Sequence, residues 1–166
     1  MLLRVAVPGD KPAIERVLDA AFGEPLRGAY SESLLAAAVP AMTKANPALL
    51  SCGTFYVVEN GDGCVVGCGG WTPERPGTTE IAAGLGHIRH FATHPEWIGR
   101  GIGRLIYRHC EERAREAGVK RLECYSTLNA EPFYAAMGFQ RVSVNEVMLA
   151  GGIPFPSVIM RRSLEP

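Results

Sequence analysis

The stretch Ile98-Gly99-Arg100-Gly101-Ile102-Gly103-Arg104-Leu105-Ile106-Tyr107 follows an apolar strand, His87-Ile88-Arg89-His90-Phe91-Ala92, and opens a long amphipathic helix. Glycines at the alternate positions 99, 101 and 103 let the backbone turn tightly and come close to a ligand. The first N–H groups of the new helix have no partner inside it. Those donors, the helix dipole and Arg100 and Arg104 form a cradle for phosphate. The pattern points to a pyrophosphate-bearing ligand. Two other phosphate loops do not fit. The dinucleotide motif G-x-G-x-x-G, counted from Gly99 or Gly101, puts its last glycine on Arg104 or Ile106. The motif G-x-x-x-x-G-K-[ST], counted from Gly99, also meets Arg104 where it needs glycine.

Alone, a glycine-alternating loop is equally a tight turn or an ordinary helix entry. A second motif narrows the choice: Asn129-Ala130-Glu131-Pro132-Phe133-Tyr134-Ala135-Ala136-Met137-Gly138-Phe139. With Thr93-His94-Pro95 at the strand exit, the two motifs resemble the GNAT superfamily of N-acetyltransferases, over roughly Leu2 to Leu164. The first resembles the family's Q/R-x-x-G-x-G/A loop, which grips the pyrophosphate of acetyl-CoA. The second carries the recurring Asn, Tyr and Gly-Phe. Ile98 departs from the pattern, because the family has Gln or Arg there.

The resemblance implies an α+β fold, a mixed and mostly antiparallel sheet of about seven strands flanked by helices. A cofactor cleft is expected between two central strands. It implies an enzyme that moves an acetyl group from acetyl-CoA to a primary amine by direct attack in a ternary complex. The cofactor residues it implies are the backbone of Phe91, Ala92 and Thr93, the loop Ile98, Gly99, Arg100, Gly101, Ile102, Gly103 and Arg104, and Asn129 and Tyr134. A backbone N–H of the central strand would also polarise the thioester oxygen.

Amide formation also needs a base for an amine of pKa near ~10.4 and an acid for the departing thiolate. Tyr134 matches the family tyrosine that protonates the sulfur; the plainer reading is a packed tyrosine at a helix start. His87, four residues before Phe91, stands where family members carry a Glu or His base. It reads equally as a partly exposed strand histidine. Glu80, Glu123 and His90 are weaker candidates. Asn129 reads as a helix cap whose amide touches the cofactor arm.

Composition bounds the rest. The chain has 166 residues, 47% hydrophobic, with 17 Lys plus Arg against 17 Asp plus Glu. That suits a single domain, residues 1–166, with a full-sized core. Without a basic excess it excludes a general nucleic-acid binder. No stretch approaches a membrane span, and the N-terminal apolar run is too short for a signal peptide. Five cysteines without paired short spacing read as reduced thiols of a cytoplasmic protein. No metal site is expected, since strand residues three apart, such as His87 and His90, point to opposite faces. A strand cysteine, Cys124, reads as core.

The expected order is strand, two helices, three strands, helix, strand, helix, two strands. Leu2–Val7 starts it, and Asp10 caps a helix over 11–22. A second helix runs from Ser31 into Ala38, with Pro40 near its end, and 44–47 is a loop. Strands follow at 54–59 and 64–71 around the turn Asn60-Gly61-Asp62-Gly63, with Gly67, Gly69 and Gly70 weakening the second. Later elements are a strand at 87–93, a helix at 101–117 with Leu105 on its apolar stripe, a strand at 122–126 and a helix at 131–137. A hairpin over 140–162 turns at Gly151-Gly152.

The acceptor, a small molecule or a peptide amine, should meet 22–53, 72–86 and 151–156, whose mixed charge selects no acceptor. Tyr30, Phe55, Trp71 and Phe155 line a pocket there or belong to the core. A non-catalytic acyl-CoA sensor and a transferase using longer acyl chains or hydroxyl acceptors stay open. Homodimers are common in the family, and no feature of the sequence decides assembly.

Overall fold

A computed structural model describes all 166 residues. In chain order the strands are β1 (Leu2–Val5), β2 (Phe55–Glu59), β3 (Val65–Thr72), β4 (Leu85–Thr93), β5 (Arg121–Ser126), β6 (Gln140–Leu149) and β7 (Ile153–Ser163). The helices are α1 (Lys11–Phe22), α2 (Glu32–Met42), α3 (Pro47–Ser51), α4 (Ile102–Glu116) and α5 (Glu131–Ala136). The seven strands form one sheet in the order β1-β2-β3-β4-β5-β7-β6. Every pairing is antiparallel except β4 with β5. This is the mixed, mostly antiparallel sheet expected. No helix is long and apolar enough to cross a membrane.

Strand alternation divides the core between the two faces. Tyr56 and Val58 of β2 pack with α4 and α5, while Phe55 and Val57 pack with α1 and α3. A smaller cluster holds α2 against Phe155. On α4 the buried stripe is Ile102, Ile106, Cys110 and Ala114 at helical spacing, joined by Tyr107. Each isoleucine contributes about 1.5–3 kcal/mol by leaving water. Leu105, expected on that stripe, is 41% exposed, and Tyr107 takes the inward position at 1%. Its hydroxyl accepts from Arg162 Nη1 at 2.8 Å, which satisfies the polar end of a buried ring.

Two expected caps are not made. Asp10 closes no helix; its carboxylate takes both Arg4 Nη atoms at 2.8 Å and the Val7 N–H at 2.8 Å. The turn Pro8–Asp10 runs straight into α1, and Pro12 has no N–H to cap. Arg4 holds the Asp10 carboxyl below its usual pKa. Asn129 likewise lies inside a turn, Leu128–Ala130, that leads directly into α5. Its Nδ2 donates across the chain to the Pro25 carbonyl at 3.5 Å. The second helix runs further than expected, through Pro40 to Met42, with Thr43 N–H and Oγ1 both donating to the Val39 carbonyl. The loop expected at 44–47 gives way at Pro47 to a short helix, α3, capped by Asn46 Oδ1 accepting from Ala48 N–H at 3.0 Å.

The glycines of β3 do not weaken a strand; they admit neighbours. All eight residues of β3 are buried. A Cβ on Gly67 would lie 2.5 Å from Ile102 Cγ2, and one on Gly69 would lie 2.4 Å from the Phe91 ring. Gly67 therefore sets how closely the first turn of α4 sits on the sheet. Gly67→Val is expected to cost about 1–3 kcal/mol through overpacking, read by urea unfolding. Adding Ile102→Ala should recover part of that loss, because the two side chains compete for one space. Equal losses with and without Ile102→Ala would show that Gly67 serves another purpose.

Candidate active site

β4 and β5 pair only at Leu85–Arg121, Gly86–Leu122 and His87–Glu123, then part. The cause lies in β4. Its pairing with β3 slips between Cys68 and Gly70, where His90 and Phe91 together face Gly69. His90 has φ 52°, the only non-glycine residue in the left-handed region. Such a bulge bends and twists its strand, and here it steers the far half of β4 away from β5. Phe91 packs over Gly69 and reaches the rings of Phe133 and Tyr134.

A cavity of about 550 Å³ fills the gap. Phe91, Ala92, Thr93, Ile98, Gly99, Gly101, Ile102, Gly103, Arg104, Asn129 and Tyr134 line it. The sequence-read cofactor set thus converges, except Arg100, whose guanidinium stacks on the Trp97 ring at 4.4 Å. Trp97 itself lines the cavity, as do Phe22, Pro25 and Leu26 from the end of α1 onward. No motif marks these four. Apolar side chains around a turn read as core until the fold places them.

The loop enters α4 through Gly101 at φ 79°, a conformation a Cβ disfavours. The first helical bond is Leu105 N–H to the Gly101 carbonyl, and no side chain caps the end. The N–H groups of Ile102, Gly103 and Arg104 are therefore free at the cavity wall. With the helix dipole behind them they suit a pyrophosphate. Gly103 serves packing as well, since a Cβ there would lie 3.0 Å from Phe133.

A second cavity, of about 710 Å³, lies beside the first. The three segments expected to meet the acceptor all reach it: Met42, Lys44 and Asn46; Pro76 and Gly77; and Phe155. Tyr30 does not, because its hydroxyl is spent on the Pro156 carbonyl and the Leu128 N–H. Phe55 and Trp71 are core. Phe22, Phe91, Thr127, Ala130 and Tyr134 line both cavities.

Tyr134 is 7% exposed, and burial holds its hydroxyl well above its usual pKa, with no hydrogen bond to offset it. Burial also pushes up the thiol of Cys124 beside it. His87 lines neither cavity. It is 3% exposed at the apex of the strand gap, with Nδ1 3.7 Å from Glu123 Oε1. Glu123 is held by Arg161 Nε at 2.7 Å. His90, by contrast, lines the second cavity. Its Nε2 donates to the Met42 carbonyl at 2.8 Å, which fixes the tautomer and leaves Nδ1 with a free lone pair. Burial lowers the pKa of both histidines. No group of three His, Cys, Asp or Glu side chains is placed to hold a metal ion.

The description "Acetyltransferase (GNAT) family" belongs to a family model that matches residues 16–139. An amino-acid acetyltransferase from Ralstonia nicotianae is 30% identical over 93 residues, which is 56% of this chain and 19% of that protein. The chain therefore spans about a fifth of that relative's length. Among solved structures, a GCN5-related N-acetyltransferase from Rhodopseudomonas palustris superposes with TM-score 0.79 at 22% identity, covering 98% of this chain and 94% of that one. The PaiA N-acetyltransferase from Thermoplasma acidophilum, in complex with coenzyme A, gives TM-score 0.71 at 16% identity and covers 98% of both chains.

Proposed function

The chain belongs to the acetyltransferase (GNAT) family, enzymes that use acetyl-CoA, and we propose that it acetylates the nitrogen of a primary amine by direct attack in a ternary complex. One observation carries this reading. The cavity at the free N–H groups of α4 and the second cavity share a wall, and Tyr134 stands in that wall. In this reading residues 1–166 act as one acetyltransferase domain, and the five free cysteines support a reducing, cytoplasmic setting.

Acetyl-CoA supplies an activated thioester. The chain's own residues do the rest. The N–H groups of Ile102, Gly103 and Arg104 hold the pyrophosphate, with the Arg104 guanidinium adding charge. Ile98 supplies backbone where the family has a polar side chain. The unpaired edge of Phe91, Ala92 and Thr93 binds the pantetheine amides, as a missing strand partner would. Tyr134 holds its proton at neutral pH because burial disfavours phenolate, so the proton is available to the departing sulfur. Cys124 is a poor nucleophile for the same reason, which supports direct transfer over an acyl-enzyme.

Burial keeps His90 neutral, and its Nδ1 is free to take the proton of the amine. It is therefore the base of this proposal. His87 keeps β4 and β5 together at the apex, through the buried Glu123, which Arg161 holds from the surface. Release of thiol from acetyl-CoA on adding a panel of amines tests the activity. Binding of CoA without release, for every amine, would leave a sensor module instead.

Gly101→Asp is expected to abolish CoA binding by calorimetry while the protein still folds. Nothing lies within 4 Å of a Cβ there, and Asp tolerates positive φ better than most residues. Unchanged affinity in the folded variant would remove the cradle from the scheme. Tyr134→Phe should lower kcat by roughly 10²-fold with little change in KM for acetyl-CoA. Near-normal turnover, with chemistry rate-limiting, would return Tyr134 to packing.

For the base, activity should rise as pH climbs through the lowered pKa of His90, giving an acidic limb below ~6.5. His90→Asn keeps a residue tolerant of φ 52° and should erase that limb, leaving any limb set by the amine's own ionisation. A limb unchanged in His90→Asn would exclude His90.

A further inference from the structure

Arg89 precedes the bulge on β4, is half-buried, and lines the second cavity. Its only hydrogen bond runs from Nη1 to Thr72 Oγ1 at 2.9 Å. The carboxylates around it are already engaged or too distant. Glu123 is held by Arg161 at 2.7 Å. Glu15 accepts from the Ala45 N–H at 3.1 Å. Glu74 makes no ion pair with Arg89, and burial outweighs its charge, pulling the guanidinium below its usual pKa. A half-buried cation without an ion-pair partner is costly. That cost is offset when a ligand brings the missing anion.

The rest of the cavity agrees. Its charged lining is Lys11, Lys44 and Arg89 against Glu15 alone, although the whole chain has no net charge. Arg89 also stands two residues from Phe91, in the wall common to both cavities. A small molecule can bridge the two, with its acid group on the guanidinium and its nitrogen at the junction.

We propose that Arg89 selects the acceptor by binding its acid group, so that the substrates are small amines carrying a carboxylate, amino acids above all, and polyamines are poor acceptors. This rests on the acetyltransferase reading. A guanidinium forks a carboxylate and a phosphonate alike, so the test includes both.

Thiol release is measured for matched pairs: alanine and alaninamide, phenylalanine and phenethylamine, glycine and aminomethylphosphonate, with spermidine alongside. The wild type is expected to favour the acids over their neutral partners. Arg89→Ala should lower kcat/KM for the acids by about 10- to 100-fold, the value of a charge-assisted bond, chiefly through KM. It should leave the neutral partners and the CoA affinity unchanged. Arg89→Lys should recover part of the loss, since it keeps the charge without the fork. A phosphonate turned over better than glycine would overturn the carboxylate assignment. Equal rates on acids and neutral partners, or an equal loss on both in Arg89→Ala and Arg89→Lys, would overturn the proposal. If no amine releases thiol, calorimetry with CoA present separates the two readings. Amino-acid binding lost in Arg89→Ala would uphold this site while the transferase reading fails. No binding by the wild type would sink both.

Discussion

Beyond the pair of His87 with Glu123, two neighbouring parallel strands stop exchanging hydrogen bonds, and the molecule is arranged around that gap. Each buried backbone group left without a partner costs about 1–3 kcal/mol, so the gap needs support from outside. β5 has it along its whole length, where all six residues pair with β7. β4 has it from β3, which resumes pairing at Ala92 and Thr93 once the bulge is past. The bulge is stabilised in turn by Phe91, packed where Gly69 leaves room. The left-handed backbone of His90 is tied by its side chain to the end of α2.

Desolvation sets the protonation of the groups around the second cavity, and it acts in opposite senses on different groups. It keeps Tyr134 protonated and His90 unprotonated. A protonated phenol and a neutral imidazole thus line one cavity at neutral pH. The same burial makes the Arg89 charge expensive, and there the structure supplies no internal compensation. The first cavity presents a different surface to an anion. Its donors are backbone N–H groups at a helix end, which carry no full charge and cost little when empty.

The loop from Ile98 to Arg104 and the segment from Asn129 to Phe139 were legible because their chemistry is local: glycine conformations, a helix start, a tyrosine at fixed spacing. The element order was legible from periodicity and turn residues, and the sheet from the family resemblance. The caps at Asp10 and Asn129 were misread, because a short turn fed each helix directly and freed the side chain for a distant partner. Leu105 and Tyr107 exchanged roles because a half-buried arginine, Arg162, gave the tyrosine hydroxyl a partner.

By itself the sequence determined the helix entry at Gly101, the strand before it and the cofactor class that such an entry holds. These depend on residues adjacent in the chain. The histidines were a different matter. Strict alternation puts His87 and His90 on opposite faces, but it says nothing of which one meets a cavity. That was decided by the bulge, by the parting of β4 from β5 and by Glu123 and Arg161 arriving from β5 and β7 to enclose His87. The isolation of Arg89 is of the same kind. A charge without a partner is visible only when every carboxylate has been placed, and placement is a property of tertiary packing, since the partners lie far away along the chain.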